Sequence, residues 1–253
     1  MRVMPLHPVQ RRSVPDEVFD QVLAEVVDGG WGAGEALPSE RRLAEVLGVS
    51  RPAVREALQR LAQARLLEVR QGGATTVRDI RRAAGLDLLP QLLVRRGRLD
   101  PAVARSILEA RLAVGPTVAA LAAERSGPAL AQPLAELLDR LAGTQDAVAR
   151  QLHALAFWDA LVDAADSPVF RLMFNSLRAA YEPALEALGP LVAAELGQLT
   201  AYRVLADAVA GGDPGTARAA AERVLRPATE NLSAALAALD STDQPDSPTQ
   251  EPR

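Results

Sequence analysis

Cysteine is absent from the 253 residues, which excludes disulfides, a thiolate nucleophile and any cysteine-held zinc or iron–sulfur cluster. Lysine is absent as well, so all 28 basic residues are arginine. No lysine Schiff base can form, which removes pyridoxal-phosphate chemistry, and there is no P-loop lysine. Histidine is reduced to His7 and His153, too little for a catalytic triad or a histidine-rich metal site. No uninterrupted apolar run reaches the roughly 18 residues that suggest a membrane span. Residues 1–12 carry arginines without the apolar stretch of a signal peptide. The expected setting is therefore cytoplasmic, with no membrane partner, and the expected protein is not an enzyme. What is present, 49% hydrophobic and 24% charged residues, is the balance of a soluble globular protein. The length allows one large domain or two modest ones.

Charge is unevenly placed. Residues 41–82 hold ten arginines against four acids, a net +6, inside a chain whose net charge is −4. A basic block on an acidic protein suits a phosphate-binding surface, although a solvated helical face accounts for the charge equally well. Composition changes near residue 82. Before it lie glycine pairs and β-branched residues, as in Gly72-Gly73 and Thr75-Thr76-Val77. After it, apolar-periodic stretches such as Leu134, Leu137, Leu138 and Leu141 alternate with short Pro/Gly breaks. Asp100, Ser167 and Asp213 each precede a proline, the pattern of an N-cap followed by proline at the first helical position. The expected fold is mainly α. A winged helix-turn-helix spans residues 10–80, a linker 81–85, a bundle of about seven helices and no strand 86–239, and a disordered Ser/Pro/Asp-rich tail 240–253.

The most informative stretch runs LPSERRLAEVLGVSRPAVREAL over residues 37–58. Ser39 is placed to cap a short helix with Leu43, Val46 and Leu47 inward. Gly48 supplies the left-handed residue of a tight turn, and Val49 plugs the interhelical angle. Ser50 caps a second helix whose Val54, Leu58 and Leu61 face inward. Two short helices joined by a glycine turn form a helix-turn-helix. Its exposed second-helix start, Ser50, Arg51, Ala53 and Arg55, offers two guanidinium forks and a hydroxyl to phosphates and guanine edges. Then Leu67 and Val69 alternate with Glu68 and Arg70 before a glycine turn and a β-branched strand, the hairpin of a wing.

Residues 14–77, with LPSERRLAEVLGVSRPAVREALQRL and LLEVRQGGATTV, resemble the GntR family of bacterial transcriptional regulators. That resemblance puts Arg41, Ser50, Arg51, Ala53, Arg55, Gln71, Gly72 and Gly73 at DNA-contacting positions. It also implies a homodimer on a palindromic operator. The remainder resembles the all-helical effector domain of the FadR subfamily, through ILEARLAVGPTVAALAAER at 107–125, FWDALVDAADSPV at 157–169 and residues 202–213. Many relatives in that subfamily hold a metal with one Asp and three His. On that pattern the ligand positions here are Ala154, Trp158, Tyr202 and Val224, with His153 one residue, or about 100° of helix, off the first of them. No metal and no cofactor are expected.

Without those ligands the expected pocket is apolar and aromatic, built around Phe157, Trp158, Tyr181 and Tyr202, with Arg111 toward an anionic end. The metal-free, fatty-acid-responsive FadR branch is matched further by Gly85-Leu86-Asp87-Leu88-Leu89, by Asp166-Ser167-Pro168-Val169-Phe170, and by residues 175–181. In that branch long-chain acyl-CoA binds the helical domain and releases DNA. The last helix departs from it, with Leu225, Pro227, Ala228 and Leu232 where polar, glycine and tryptophan residues meet the CoA part. Two effectors therefore stand side by side: long-chain acyl-CoA, or a sugar acid or organic acid held by Arg111 without metal. An enzyme with an accessory DNA-binding domain is the remote third reading.

Overall fold

Ser13 caps the first described helix, accepting the Asp16 N–H while the Asp16 carboxylate accepts the Ser13 N–H at 3.2 Å. This is a closed capping box, with Pro15 in the first turn where its missing N–H costs nothing. The computed structural model describes residues 13–69, 74–95 and 98–242, and side chains as far as 235. His7, the wing tip with Gln71, Gly72 and Gly73, and the tail from 243 lie outside the described residues. The chain divides into two compact units, Met1–Gln91 and Leu92–Arg253.

In the first unit, α1 (Val14–Val27) packs across α3 (Arg51–Gln63), and α2 (Glu40–Leu47) packs beside α3. Val18, Phe19, Val22 and Leu23 of α1 meet Val54, Leu58 and Leu61 of α3 in a core whose members are less than 5% exposed. Each such side chain contributes roughly 1.5–3 kcal/mol on burial. Gly48 ends α2 at φ 66°, where a side chain would be strained, and Ser50 starts α3 by accepting the Ala53 N–H at 3.4 Å. The inner face of α2 differs from expectation. Leu43 and Ala44 are buried, whereas Val46 is 65% exposed. With Leu43, Ala44 and Leu47 sharing one face, Val46 lies about 110° away from its centre. The wing strands β1 (Leu67–Glu68) and β2 (Thr76–Val77) pair antiparallel, Leu67 opposite Val77. Val69, expected to alternate inward with Leu67, is exposed, and Leu66 is buried in its place. A third strand-like edge was not legible in the sequence. Gly34 and Leu37 donate to the Val77 and Thr75 carbonyls at 2.7 and 2.8 Å, and Val77 donates back to Glu35 at 2.9 Å. Residues expected to form a linker include most of a one-turn helix, α4 (Ile80–Ala83), capped by Asp79.

After α5 (Leu89–Leu93), the second unit opens with a short hairpin, β3 (Val94–Arg95) with β4 (Arg98–Leu99), where no strand was expected. Asp100 stabilises the join twice: Oδ2 accepts from Arg95 at 2.7 Å, and Oδ1 caps α6 (Pro101–Ser126) through the Ala102 and Val103 N–H groups at 3.1 Å. Six more helices follow: α7 (Ala131–Gly143), α8 (Ala147–Ala164), α9 (Pro168–Tyr181), α10 (Leu185–Leu196), α11 (Leu199–Ala210) and α12 (Pro214–Thr242). Ser167 and Asp213 cap α9 and α12 as their sequences indicate, through the Phe170 and Thr216 N–H groups. The last helix runs through Thr242, beyond the point where a disordered tail was expected to begin. Helices α6 and α12 form the central pair, with α8, α10 and α11 packed around them. By length and mean hydropathy the stretch Pro101–Gly143 is able to cross a membrane, and 44% of its most apolar window is buried within the protein. Among the described residues two polar side chains are buried in the unit, Gln151 and Glu195.

Candidate functional site

The exposed start of α3 carries the first candidate surface. Arg51 and Arg55 project from it, one helical turn apart, next to the N-terminus of α2. The Arg55 fork is already engaged: Nε reaches both Glu40 oxygens at 3.1 Å and Nη2 reaches Oε2 at 2.8 Å. These hydrogen bonds, with the charges of Arg55 and Arg51, hold the Glu40 carboxyl below its usual value, and the same hydrogen bonds with the Glu40 charge raise that of Arg55. The pair is solvent-exposed, so it aims the guanidinium without locking it. Arg51 is exposed and forms no ion pair among the described residues. Arg41 is exposed and pairs with Glu45 at 3.0 Å, one turn along α2. Ser50 is exposed, and its Oγ accepts the Ala53 N–H at the helix cap while keeping its O–H to donate. Ala53, expected among the contacting residues, is 8% exposed and packs inward, because its position on α3 adjoins Val54 and Ala57. Behind the surface, Arg60 ties α3 to α1, reaching Asp16 at 2.6 Å and stacking 4.8 Å above the Phe19 ring.

The second candidate is a cavity in the helical unit. Ala110, Val114 and Gly115 of α6, Trp158 and Val162 of α8, Phe170, Met173, Phe174 and Leu177 of α9, and Leu225 of α12 enclose an apolar lobe. Gly115 keeps this lobe open: a methyl there would collide with the Leu225 Cδ1, and the Trp158 ring lies 3.5 Å away. A polar lobe adjoins it, sharing Arg111, Trp158, Phe174 and Leu177, and adding Gln151, Tyr181 and Glu195. Each lobe has about 510 Å³ of empty space, counting the part open to solvent. Helix α9 is the outer wall. Of its residues only Ala180 is buried, while Phe170, Met173, Phe174 and Leu177 are half-buried over the cavity.

The polar lobe is closed on itself. Arg111 donates to Glu195 at 3.0 and 3.4 Å, and the Tyr202 hydroxyl donates to the same carboxylate at 3.2 Å. Tyr181 donates to the Gln151 Oε1 at 2.7 Å, and the Gln151 amide donates to the Leu185 and Ala147 carbonyls at 3.0 and 3.2 Å. Burial pushes the Tyr202 phenol well above its ordinary value, reinforced by Glu195, and burial does the same to Tyr181. Burial alone would disfavour the Arg111 cation, but the Glu195 carboxylate more than offsets it and raises the Arg111 value. The Trp158 indole N–H is buried on the Tyr202 side, outside hydrogen-bond geometry.

Of the residues expected to meet an effector, the structure brings Arg111, Trp158 and Tyr181 to the cavity. Phe157 and Tyr202 are 0% exposed and stand behind its wall, edge-to-face at 5.2 Å. Phe157 precedes Trp158 by one residue on α8, so it turns about 100° away from the wall and into the core. Arg111, expected toward an anionic end, is paired with Glu195. Glu195 lies 84 residues from Arg111, and no local spacing announces the pair. The α9 wall residues were visible only as an amphipathic repeat. The four positions that the resemblance marks for metal ligands carry a methyl (Ala154), an indole (Trp158), a committed phenol (Tyr202) and an isopropyl group (Val224), all buried. These donors do not fit a transition metal. His153 is half-buried on α8.

Residues 15–77 match the family model of bacterial regulatory proteins of the gntR family, and residues 106–227 match the FCD domain. The chain is 58% identical over 233 residues to the HTH-type transcriptional regulator Mce2R of Mycobacterium tuberculosis, covering 92% of this chain and 97% of that protein. It is 32% identical over 200 residues to the fatty acid metabolism regulator protein of Edwardsiella ictaluri, covering 73% of this chain and 80% of that one. Among solved structures, Lar of Listeria monocytogenes superposes with a TM-score of 0.58 at 14% identity, covering 89% of this chain and 99% of that one, a likeness of fold.

Proposed function

The chain belongs to the GntR family of bacterial regulators, as a non-enzymatic DNA-binding transcriptional regulator with an FCD effector domain, and from that premise we propose that an acyl ligand controls its hold on operator DNA. The observation that carries this reading is the apolar lobe, walled by Trp158, Phe170, Met173, Phe174 and Leu225. A long acyl chain carries several hundred Å² of apolar surface, and at about 25 cal/mol per Å² its burial would supply most of a micromolar affinity. The fatty acid metabolism regulators among its relatives support the same class of ligand, with long-chain acyl-CoA the first to try. The alternative of a small carboxylate held by Arg111 loses ground, because Glu195 already neutralises that arginine.

On the DNA side, Arg41, Ser50, Arg51 and Arg55, with the wing tip Gln71, Gly72 and Gly73, are the proposed contacts. Arg51 is the free fork and Arg55 the one aimed by Glu40. A cytoplasmic homodimer would present two such faces to half-sites about 34 Å apart. Effector binding weakens the complex if the ligand prefers a state in which that spacing is lost. A gel-shift titration tests the reading: palmitoyl-CoA should release the operator and raise the thermal midpoint, while free CoA and gluconate should do neither. Release by gluconate or a similar small acid, with palmitoyl-CoA inert, would overturn it.

A further inference from the structure

We propose that Glu195 sets the specificity of the cavity: by cancelling the charge of Arg111, it selects a long hydrocarbon chain with an uncharged head (an ester, thioester or alcohol) over a free carboxylate. The inference rests on the cavity being the effector site.

Among the described residues two guanidinium groups line the cavity, Arg111 and Arg178, a third, Arg171, stands on its outer helix, and each of these is committed. Arg111 is held by Glu195. Arg178, at the rim of the polar lobe, reaches Glu182 at 2.6 Å and Asp159 at 3.7 Å. Arg171, on the outer helix α9, reaches Asp159 at 2.7 Å and Asp163 at 2.5 Å. Four carboxylates therefore face three cations. A ligand carboxylate entering the polar lobe brings a further negative charge close to Glu195, where water does little to screen it, and finds no uncompensated cation among the described side chains that line the lobe. The hydrogen-bond inventory agrees with the charges. Glu195 is filled by Arg111 and Tyr202, and Gln151 is filled by Tyr181 and two backbone carbonyls. A guanidinium carries five N–H groups, so Arg111 keeps donors to spare after serving Glu195, enough for one carbonyl or hydroxyl oxygen. A neutral head fits that supply. An acyl-CoA satisfies it through its thioester carbonyl, with its phosphates outside the lobe.

The test uses the full chain with Trp31→Phe, so that Trp158 alone reports binding, at pH 8, where a fatty acid is ionised. The probes are dodecan-1-ol, dodecanoyl-CoA and dodecanoate. The parent protein should bind the alcohol and the thioester at least tenfold more tightly than dodecanoate. Glu195→Gln, which keeps the shape but frees the Arg111 charge, should erase or reverse that preference by raising affinity for dodecanoate. The Arg111→Gln, Glu195→Gln double variant, neutral again, should restore it. Equal binding of all three probes by the parent protein overturns the inference while leaving the acyl-ligand reading intact, and this arm needs no variant to fold. An unchanged preference in Glu195→Gln overturns it too. Binding of none of the probes overturns both.

Discussion

Each unit of this regulator contains an arginine–glutamate pair near its site, and the two pairs behave differently because of where they sit. Arg55–Glu40 lies on the surface with side chains 61% and 36% exposed, whereas in Arg111–Glu195 the values are 21% and 2%. The surface pair is screened by water and salt, adds little to stability, and can exchange its carboxylate for a phosphate. The buried pair cannot exchange partners cheaply, because either member left alone is a charge stripped of solvent. One chemical motif thus serves as an aiming device on the DNA face and as a fixed neutral element in the cavity.

The largest expected effect comes from breaking the buried pair. Arg111→Ala strands the Glu195 carboxylate with the Tyr202 hydroxyl as its remaining donor, and should cost about 3–5 kcal/mol in denaturant unfolding of the helical unit. Arg55→Ala should leave the unfolding midpoint of either unit unchanged. Equal destabilisation by the two variants would erase the distinction between the pairs. Next in size are the operator effects. Arg51→Ala should weaken operator binding roughly tenfold to a hundredfold and relax base preference. Adding Arg55→Ala should weaken binding further and flatten its salt dependence, because fewer phosphates are neutralised. An unchanged salt slope in the double variant would remove both arginines from the DNA face.

The smallest effect sharpens the contrast through pH. Hydrogen bonds from Ser13, then Arg60, lower the Asp16 carboxyl from 3.8 to about 2. A depressed folded-state value means that the contribution of Asp16 is fully present above the ordinary value and is lost as pH falls through the folded one. The midpoint of the first unit should therefore decline between about pH 4 and about pH 2, and Asp16→Asn should flatten that decline. An identical pH profile in the variant would detach Asp16 from the α1–α3 tie.

Local chemistry made much of the molecule legible in advance. Ser39, Ser50, Asp100, Ser167 and Asp213 cap the helices that their sequences indicate, because a cap is decided within three residues. Gly48 marks the turn of the helix-turn-helix for the same reason, and the seven long helices of the second unit follow from apolar period and proline breaks. Misreadings arose where side-chain direction mattered. Val46 and Val69 are apolar yet exposed, and Ala53 is small yet buried, since pattern alone does not say how one helix or strand is rotated against its neighbours.

The amino-acid sequence by itself determined the absent chemistries, the basic helix-turn-helix and the helical second unit. Those are properties of residue identity and short-range spacing. Only the tertiary structure decided that Glu40 would aim Arg55 across 15 residues, that Glu195 would neutralise Arg111 across 84, and that α9 would wall the cavity while Phe157 and Tyr202 stood behind it. Those outcomes depend on how helices distant in sequence pack against one another, and hence on which charges are brought into contact and which are removed from water.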